Sequence, residues 1–249
     1  MVKILLSGAS GRMGNEIISQ VEQEENFEIT CGFGSKVDES KNFKIYDKVE
    51  DIKEKVDVII DFSVPKATFE ILKYAKKNKV SVVIATTGFS KEELEKIEEM
   101  SKEIPIFRSS NMSVDINLMA NIVKKVAEVL SDSDIEITET HHNRKIDSPS
   151  GTAILLADAI NEVFEGKKNY NFDRMSKREK RDKNEIGFSS IRGGNIVGEH
   201  KVQFFGENET LEITHTAYSR KVFAEGAIKA ADFIVNKKSG LYSMKDIVK

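Results

Sequence analysis

The alternation of apolar and polar positions changes character near residue 111. Before it, Lys3–Ser7, Glu28–Phe33, Val56–Phe62, Val80–Ile84 and Ile104–Arg108 are short apolar runs suited to strands buried on both faces. Helical stretches separate them. Ile17, Ile18 and Val21 mark the first, and Ala67, Ile71, Leu72 and Ala75 mark a second, with Ser63 as its expected N-cap and Pro65 at an early helical position. Ser90-Lys91-Glu92-Glu93 is a capping box for a polar-faced helix ending near Ser101. Strands alternating with helices predict a doubly wound parallel sheet of the Rossmann type.

After Asn111 a long amphipathic helix is expected, with Ile116, Leu118, Met119, Ile122, Val123, Val126, Ala127 and Leu130 on its apolar face. Asp134–Glu139 then alternates polar and apolar and reads as a half-buried strand leading to His141. Ser150-Gly151-Thr152 opens a helix running to about Phe164. Residues 165–184 are polar and read as a solvated loop, because acids interrupt the basic run and no aromatics interleave. Ile186–Arg192, His200–Phe205 and Thr210–Thr216 are strand candidates whose short connections predict antiparallel neighbours. A last helix, Phe223 to about Val235, is expected to return to the first domain. The domains are therefore set at 1–111 with 220–249, and 112–219. The second is an α+β domain with an open mixed or antiparallel sheet, one face of which needs covering by self-association.

Composition narrows the function classes. The chain has 249 residues, 39% hydrophobic and 32% charged, with a net charge of −3. That balance argues against bulk nucleic-acid or membrane binding, and no apolar run is long enough to span a bilayer. A lone cysteine, Cys31, excludes an internal disulfide framework and fits a reducing, cytoplasmic setting.

Two stretches carry chemistry. Gly8-Ala9-Ser10-Gly11-Arg12-Met13-Gly14 lies between the first strand and first helix, the context a dinucleotide fingerprint requires. Its glycines permit a tight turn and bring amides to a pyrophosphate, whose charge the helix dipole favours. Ligand contacts are expected from the loops 8–14, 34–36, 62–63, 85–88 and 109–112. After the second strand, Gly34-Ser35-Lys36 offers a hydroxyl and an ammonium in place of an acid, which suits the 2′-phosphate of NADPH better than NADH. The second stretch is Glu139-Thr140-His141-His142-Asn143-Arg144-Lys145-Ile146-Asp147-Ser148-Pro149-Ser150-Gly151-Thr152-Ala153. It sets cationic groups ahead of a helix N-terminus and invites a small molecule bearing carboxylates. Metal binding is not expected, since adjacent strand histidines point to opposite faces and no cysteine joins them.

With these motifs in view, the chain resembles the dihydrodipicolinate reductases (4-hydroxy-tetrahydrodipicolinate reductases) of lysine and diaminopimelate biosynthesis. The likeness also rests on Asp61-Phe62-Ser63, Thr86-Thr87-Gly88, Asn111-Met112-Ser113, Ile186-Gly187-Phe188, Arg192-Gly193-Gly194, Val197-Gly198-Glu199-His200, His215, Ser219-Arg220, Phe223-Ala224 and Gly226-Ala227. It implies a Rossmann domain, a substrate domain that also forms a homotetramer, and reduction of an unsaturated cyclic dicarboxylate by NADPH or NADH. Hydride would reach ring C4, and the adjacent carbon would take a proton. By resemblance His141 is the proton donor, and Lys145 binds a carboxylate and assists proton transfer. Ser150, Gly151 and Thr152 hold the second carboxylate with His142 nearby. The cofactor-binding set is Gly8, Ser10, Gly11, Arg12, Met13, Gly14, Ser35, Lys36, Phe62, Ser63, Thr86, Thr87, Gly88, Asn111 and Met112, the nicotinamide lying on the last five. Gly34 departs from relatives with an acid there, and Asp115 stands where small or apolar residues are usual. A non-catalytic NAD(P)-binding regulator and another two-domain dehydrogenase, such as one acting on an amino acid, stay open. The joint presence of His141, Lys145 and Ser150-Gly151-Thr152 favours the enzyme.

Overall fold

The computed structural model describes residues 1–35 and 41–248. Lys36 therefore lies outside the described residues. The chain divides into two compact units, Met1–Val114 with Arg220 onward, and Asp115–Ser219.

The first unit begins as the apolar runs predict. In chain order it contains β1 (Val2–Ser7), α1 (Arg12–Val21), β2 (Phe27–Phe33), β3 (Lys44–Tyr46), β4 (Val58–Asp61), α2 (Pro65–Asn78), β5 (Ser81–Ile84), α3 (Lys91–Ser101) and β6 (Pro105–Arg108). The Ser90–Glu93 capping box forms at α3. At α2, however, Val64 occupies the N-cap position and no side chain caps it. The Ser63 hydroxyl is drawn instead to the nearer Asp61 carboxylate, 2.5 Å away.

The second unit runs through α4 (Val114–Val129), β7 (Asp134–His141), α5 (Gly151–Val163), β8 (Asn169–Asn171), β9 (Glu185–Arg192), β10 (Gly198–Phe205) and β11 (Thr210–Ala217). Its sheet has the order β11-β10-β7-β9-β8. β9 pairs parallel with β7 while β10 pairs antiparallel with it, so β9 and β10 are not the antiparallel neighbours their spacing predicts. The five residues joining them wrap the end of β7, where His142 N–H donates to Ile196 C=O and Asn143 N–H to Gly194 C=O. The polar 165–184 stretch is also less solvated than expected. It contributes β8, and Arg181 turns inward to ion-pair with Asp134, Glu136 and Glu185. Helices α4 and α5 share one cluster with Ile135, Ile137, Ile186, Val202 and Phe204. Leu118 and Ile122 of α4 lie outside it, 45% and 42% exposed.

The chain then returns. α6 (Lys221–Ile234) and β12 (Gly240–Tyr242) complete the first unit, whose sheet is parallel throughout with the order β12-β6-β5-β4-β1-β2-β3. One face packs on α1 and α6 through Ile17, Ala227, Ala231 and Ile234. The other packs on α2 and α3 through Ile71, Leu72 and Ile97.

Candidate active site

In the first unit, the turn after β1 is built for close backbone approach. Gly8 has φ +82°, and a Cβ there would run into the Phe62 carbonyl. A Cβ at Gly14 would meet the carbonyls of Gly8 and Ala9, so α1 starts hard against the turn. Gly11, at the N-cap of α1, supplies no side-chain cap. A cavity of about 650 Å³ opens here, within the size range of cofactor sites. Of the predicted cofactor residues, Gly8, Ser10, Gly11, Ser35, Phe62 and Ser63 line it. Asp47, just after β3, lines it as well and was not anticipated. The loop glycines, the open N-terminus of α1 and the cavity volume all fit a dinucleotide.

The other predicted cofactor residues have different surroundings. Arg12, Thr87 and Gly88 are exposed, and Gly88 has φ +87°. Met13, in the first turn of α1, packs against the core. The side chain of Met112 is 3% exposed within the α6 cluster, so only its backbone is available to a ligand. Asn111 Oδ1 accepts from Ser113 N–H at 2.8 Å, bending the backbone there. Thr86 is held from beneath. Its hydroxyl donates to Asp61 at 2.9 Å and accepts from Ser63 N–H at 2.9 Å, while Thr68 donates to the same fully buried carboxylate at 2.6 Å. Asp61 thus ties the loops after β4 and β5 together, a task its place in the Asp61-Phe62-Ser63 motif did not reveal.

In the second unit, strict alternation along β7 buries Ile135, Ile137, Glu139 and His141 on one face. His141 Nδ1 lies 2.5 Å from Glu139 Oε2. Arg192 grips the same carboxylate with both terminal nitrogens, Nη1 to Oε2 at 2.8 Å and Nη2 to Oε1 at 2.6 Å. Burial alone would raise the Glu139 carboxyl, but hydrogen bonds from His141, Arg192 and Ser190 outweigh it and hold it well below the usual range. Arg192 Nη2 also donates to the Asp147 carbonyl at 2.7 Å and so anchors the loop carrying Lys145. Lys145 Nζ sits 2.8 Å from Asp147 Oδ2, and there burial of the carboxyl is overridden by that ammonium, which lowers it.

Ser150 has a more structural place than its motif suggests. Its N–H donates to Glu139 Oε1 at 3.2 Å, and its hydroxyl caps α5 by accepting from Ala153 N–H at 3.2 Å. The same hydroxyl shares a 2.9 Å hydrogen bond with His200 Nε2. Gly151 is exposed at the helix terminus, Thr152 is half-buried beside it, and His142 is half-buried at the end of β7. The Ser148–Pro149 bond is cis. The arrangement combines a buried imidazole, an ammonium and a helix N-terminus, which suits proton transfer to a bound anion. Among the described residues no cluster of metal-binding side chains occurs.

Family models described as dihydrodipicolinate reductase, N-terminus and C-terminus, match residues 2–112 and 115–248 respectively. The chain belongs to the dihydrodipicolinate reductase family. Curated members named 4-hydroxy-tetrahydrodipicolinate reductase include one from Caldanaerobacter subterraneus subsp. tengcongensis, 48% identical over 100% of this chain and 99% of its own. Another, from Clostridium novyi, is 46% identical over 100% of this chain and 99% of its own. A solved dipicolinate-bound dihydrodipicolinate reductase from Paenisporosarcina sp. TG-14 superposes with a TM-score of 0.80 at 26% identity, covering 99% of both chains. An aspartate dehydrogenase from Thermotoga maritima matches with a TM-score of 0.54 at 13% identity over 95% of this chain and 98% of its own, a likeness of fold alone. The family's C-terminal model reaches past the second unit into α6 and β12, which pack in the first.

Proposed function

We propose that this chain reduces 4-hydroxy-tetrahydrodipicolinate to tetrahydrodipicolinate with NAD(P)H, in lysine and diaminopimelate biosynthesis. One observation carries the reading within the family: a buried imidazole, His141, bonded to Glu139 in the strand that leads directly to Lys145 and the start of α5. When bound, the reduced nicotinamide supplies the hydride that the substrate ring receives at C4. The first unit's glycine turn and cavity hold and orient the dinucleotide, and Asp61 fixes Thr86 and Ser63 at the loops beside it. In the second unit His141 gives a proton to the adjacent ring carbon. Lys145 receives one carboxylate in place of Asp147, and the amides of Gly151 and Thr152 receive the other. Ser150 acts from behind, as the cap that aims those amides.

The direct test is loss of absorbance at about 340 nm, the reduced nicotinamide's own band, when chain, NADPH and freshly generated substrate are mixed. No oxidation under conditions where a curated relative turns over would leave the non-catalytic regulator as the better reading. We assign NADPH as the preferred cofactor on Gly34 and Ser35, which offer no acid directly after β2, while Asp47 and Glu70 are the carboxylates that line the cavity. Asp47→Asn is expected to raise the NADPH to NADH ratio of kcat/KM, and an unchanged ratio removes Asp47 from cofactor choice.

The assembly proposed is a homotetramer built through the face of the second sheet opposite α4 and α5. By register that face carries Thr138, Thr140, Lys201 and Gln203 together with the exposed Ile191 and Phe205. Among the described residues no helix is long and apolar enough to cross a membrane. A buried free thiol at Cys31, pushed up to about 12 by burial and then by Glu54, supports the expected cytoplasmic setting.

A further inference from the structure

Along the inward face of the second sheet the chemistry changes abruptly. Ile135, Ile137, Val202 and Phe204 fill its first half. Glu139 and His200, which face each other across β7 and β10, begin a polar second half. Glu139 is 1% exposed, a position where an ionised carboxylate is strongly disfavoured unless it is paired and hydrogen-bonded. It is fully paired. Arg192 takes both oxygens in a fork, Ser150 N–H takes Oε1, and His141 Nδ1 takes Oε2. This is more than a salt bridge needs, and each contact constrains the imidazole.

We propose that Glu139, clamped by Arg192, is a positioning residue that fixes His141 in its Nδ1–H form and leaves Nε2 as the nitrogen that exchanges a proton with substrate. The inference rests on His141 being the proton donor. A neutral imidazole carries one N–H, and the carboxylate beside Nδ1 can only accept, so that hydrogen stays on Nδ1. The two guanidinium hydrogen bonds keep Glu139 ionised and in plane, which stops it taking the proton itself. In the step, the Nε2–H bond breaks and its electron pair stays on nitrogen. The proton forms a C–H bond at the ring carbon next to the hydride acceptor. Imidazolium becomes Nδ1–H imidazole, Glu139 is unchanged, and solvent later returns a proton to Nε2. Gly198 completes the arrangement, because a Cβ there would sit 3.0 Å from His141 Nε2. The charged and titratable groups packed at this ring are Glu139 from its own strand and His200 from β10, with Arg192 from β9 acting through Glu139 and with Lys145 and His215 acting on His200.

The test is nitrogen-15 NMR of histidine side chains in the full-length chain, with Glu139→Gln and Arg192→Lys as variants and circular dichroism as the check on folding. Wild type is expected to show neutral His141 as Nδ1–H with its proton far downfield. Glu139→Gln should move the population towards Nε2–H and lower kcat on the order of 10²-fold, with little change in KM. Arg192→Lys should restore more of both signals than Arg192→Met. A wild-type His141 in the Nε2–H form, or a folded Glu139→Gln variant with the wild-type tautomer, overturns the proposal. Undiminished turnover of His141→Gln would instead sink the donor reading, so the two failures are told apart.

Discussion

Glu139 and His200 stand opposite one another in the second sheet, and both make the fold sensitive to acid. Burial first, and then the neighbouring His141, depress His200 from 6.5 to about 3. Between those values the unfolded chain holds a proton that the folded chain refuses, so stability falls as pH drops through that window. The slope approaches about 1.4 kcal/mol per pH unit for this one group. Glu139 adds to the loss in the same direction. Its folded carboxyl titrates below the ordinary 4.5, so its contribution is complete above that value and disappears as pH falls through the folded one. Urea midpoints measured from about pH 7 down to about pH 4 should fall steeply for wild type and less steeply for His200→Asn. Equal slopes would show that His200 is not the group responsible. At Gly198 the expectation concerns rate: Gly198→Ala must displace the His141 ring, and kcat should drop by about tenfold or more while the melting temperature moves little. An unchanged kcat would mean the imidazole tolerates the shift.

At the scale of elements, Arg181 is the fastening of the second unit. It joins the β7 residues Asp134 and Glu136 to Glu185 of β9, and it donates to the carbonyls of Ile135 and Glu185 at 2.7 and 3.0 Å. Arg181→Met should cost about 1 kcal/mol or more, read as a lower denaturant midpoint, because Glu136 is left partly buried without its partner while Glu185 keeps only Arg174. A midpoint within error of wild type would show that Arg181 is only a surface charge. This residue also marks where the sequence ceased to be readable. Its pattern is that of a solvated charge run, and nothing local points to partners across the sheet. β3, β8 and β12 have three residues each, too short to display any period. The longer strands and helices α1 to α6 were readable because burial imposes a period on them. The five residues between β9 and β10 imitate a hairpin, yet they cross the end of β7, and hairpin length alone does not report what lies between two strands. In the site, His141, Lys145 and the α5 cap were readable from a contiguous motif. The inward place of Glu139 was not read from the sequence, because a carboxylate at a core-facing position breaks the apolar alternation of β7. Its clamp was hidden, since Arg192 lies 53 residues further on.

For the whole molecule, the proposed assembly rests on the exposed face of the second sheet. Its threonines, Lys201 and Gln203 are polar, so an interface there is held by hydrogen bonds and by Ile191 and Phe205 more than by a greasy core. Thr140→Arg is expected to reduce the proposed tetramer to fewer chains in sedimentation, and a mass unaltered by that change would place the interface elsewhere. The return of the chain has another consequence. α6 fills one face of the first sheet, and β12 extends it beside β6. A ribosome has synthesised the entire second unit before either element exists, so the nucleotide half, though begun first, is finished last. During synthesis its sheet waits with one face covered only by α1 and depends on segments not yet made. The tightest point of the closure is Gly226 of α6, where any Cβ would strike the Met112 carbonyl. Damage there would be felt by strands translated long before it.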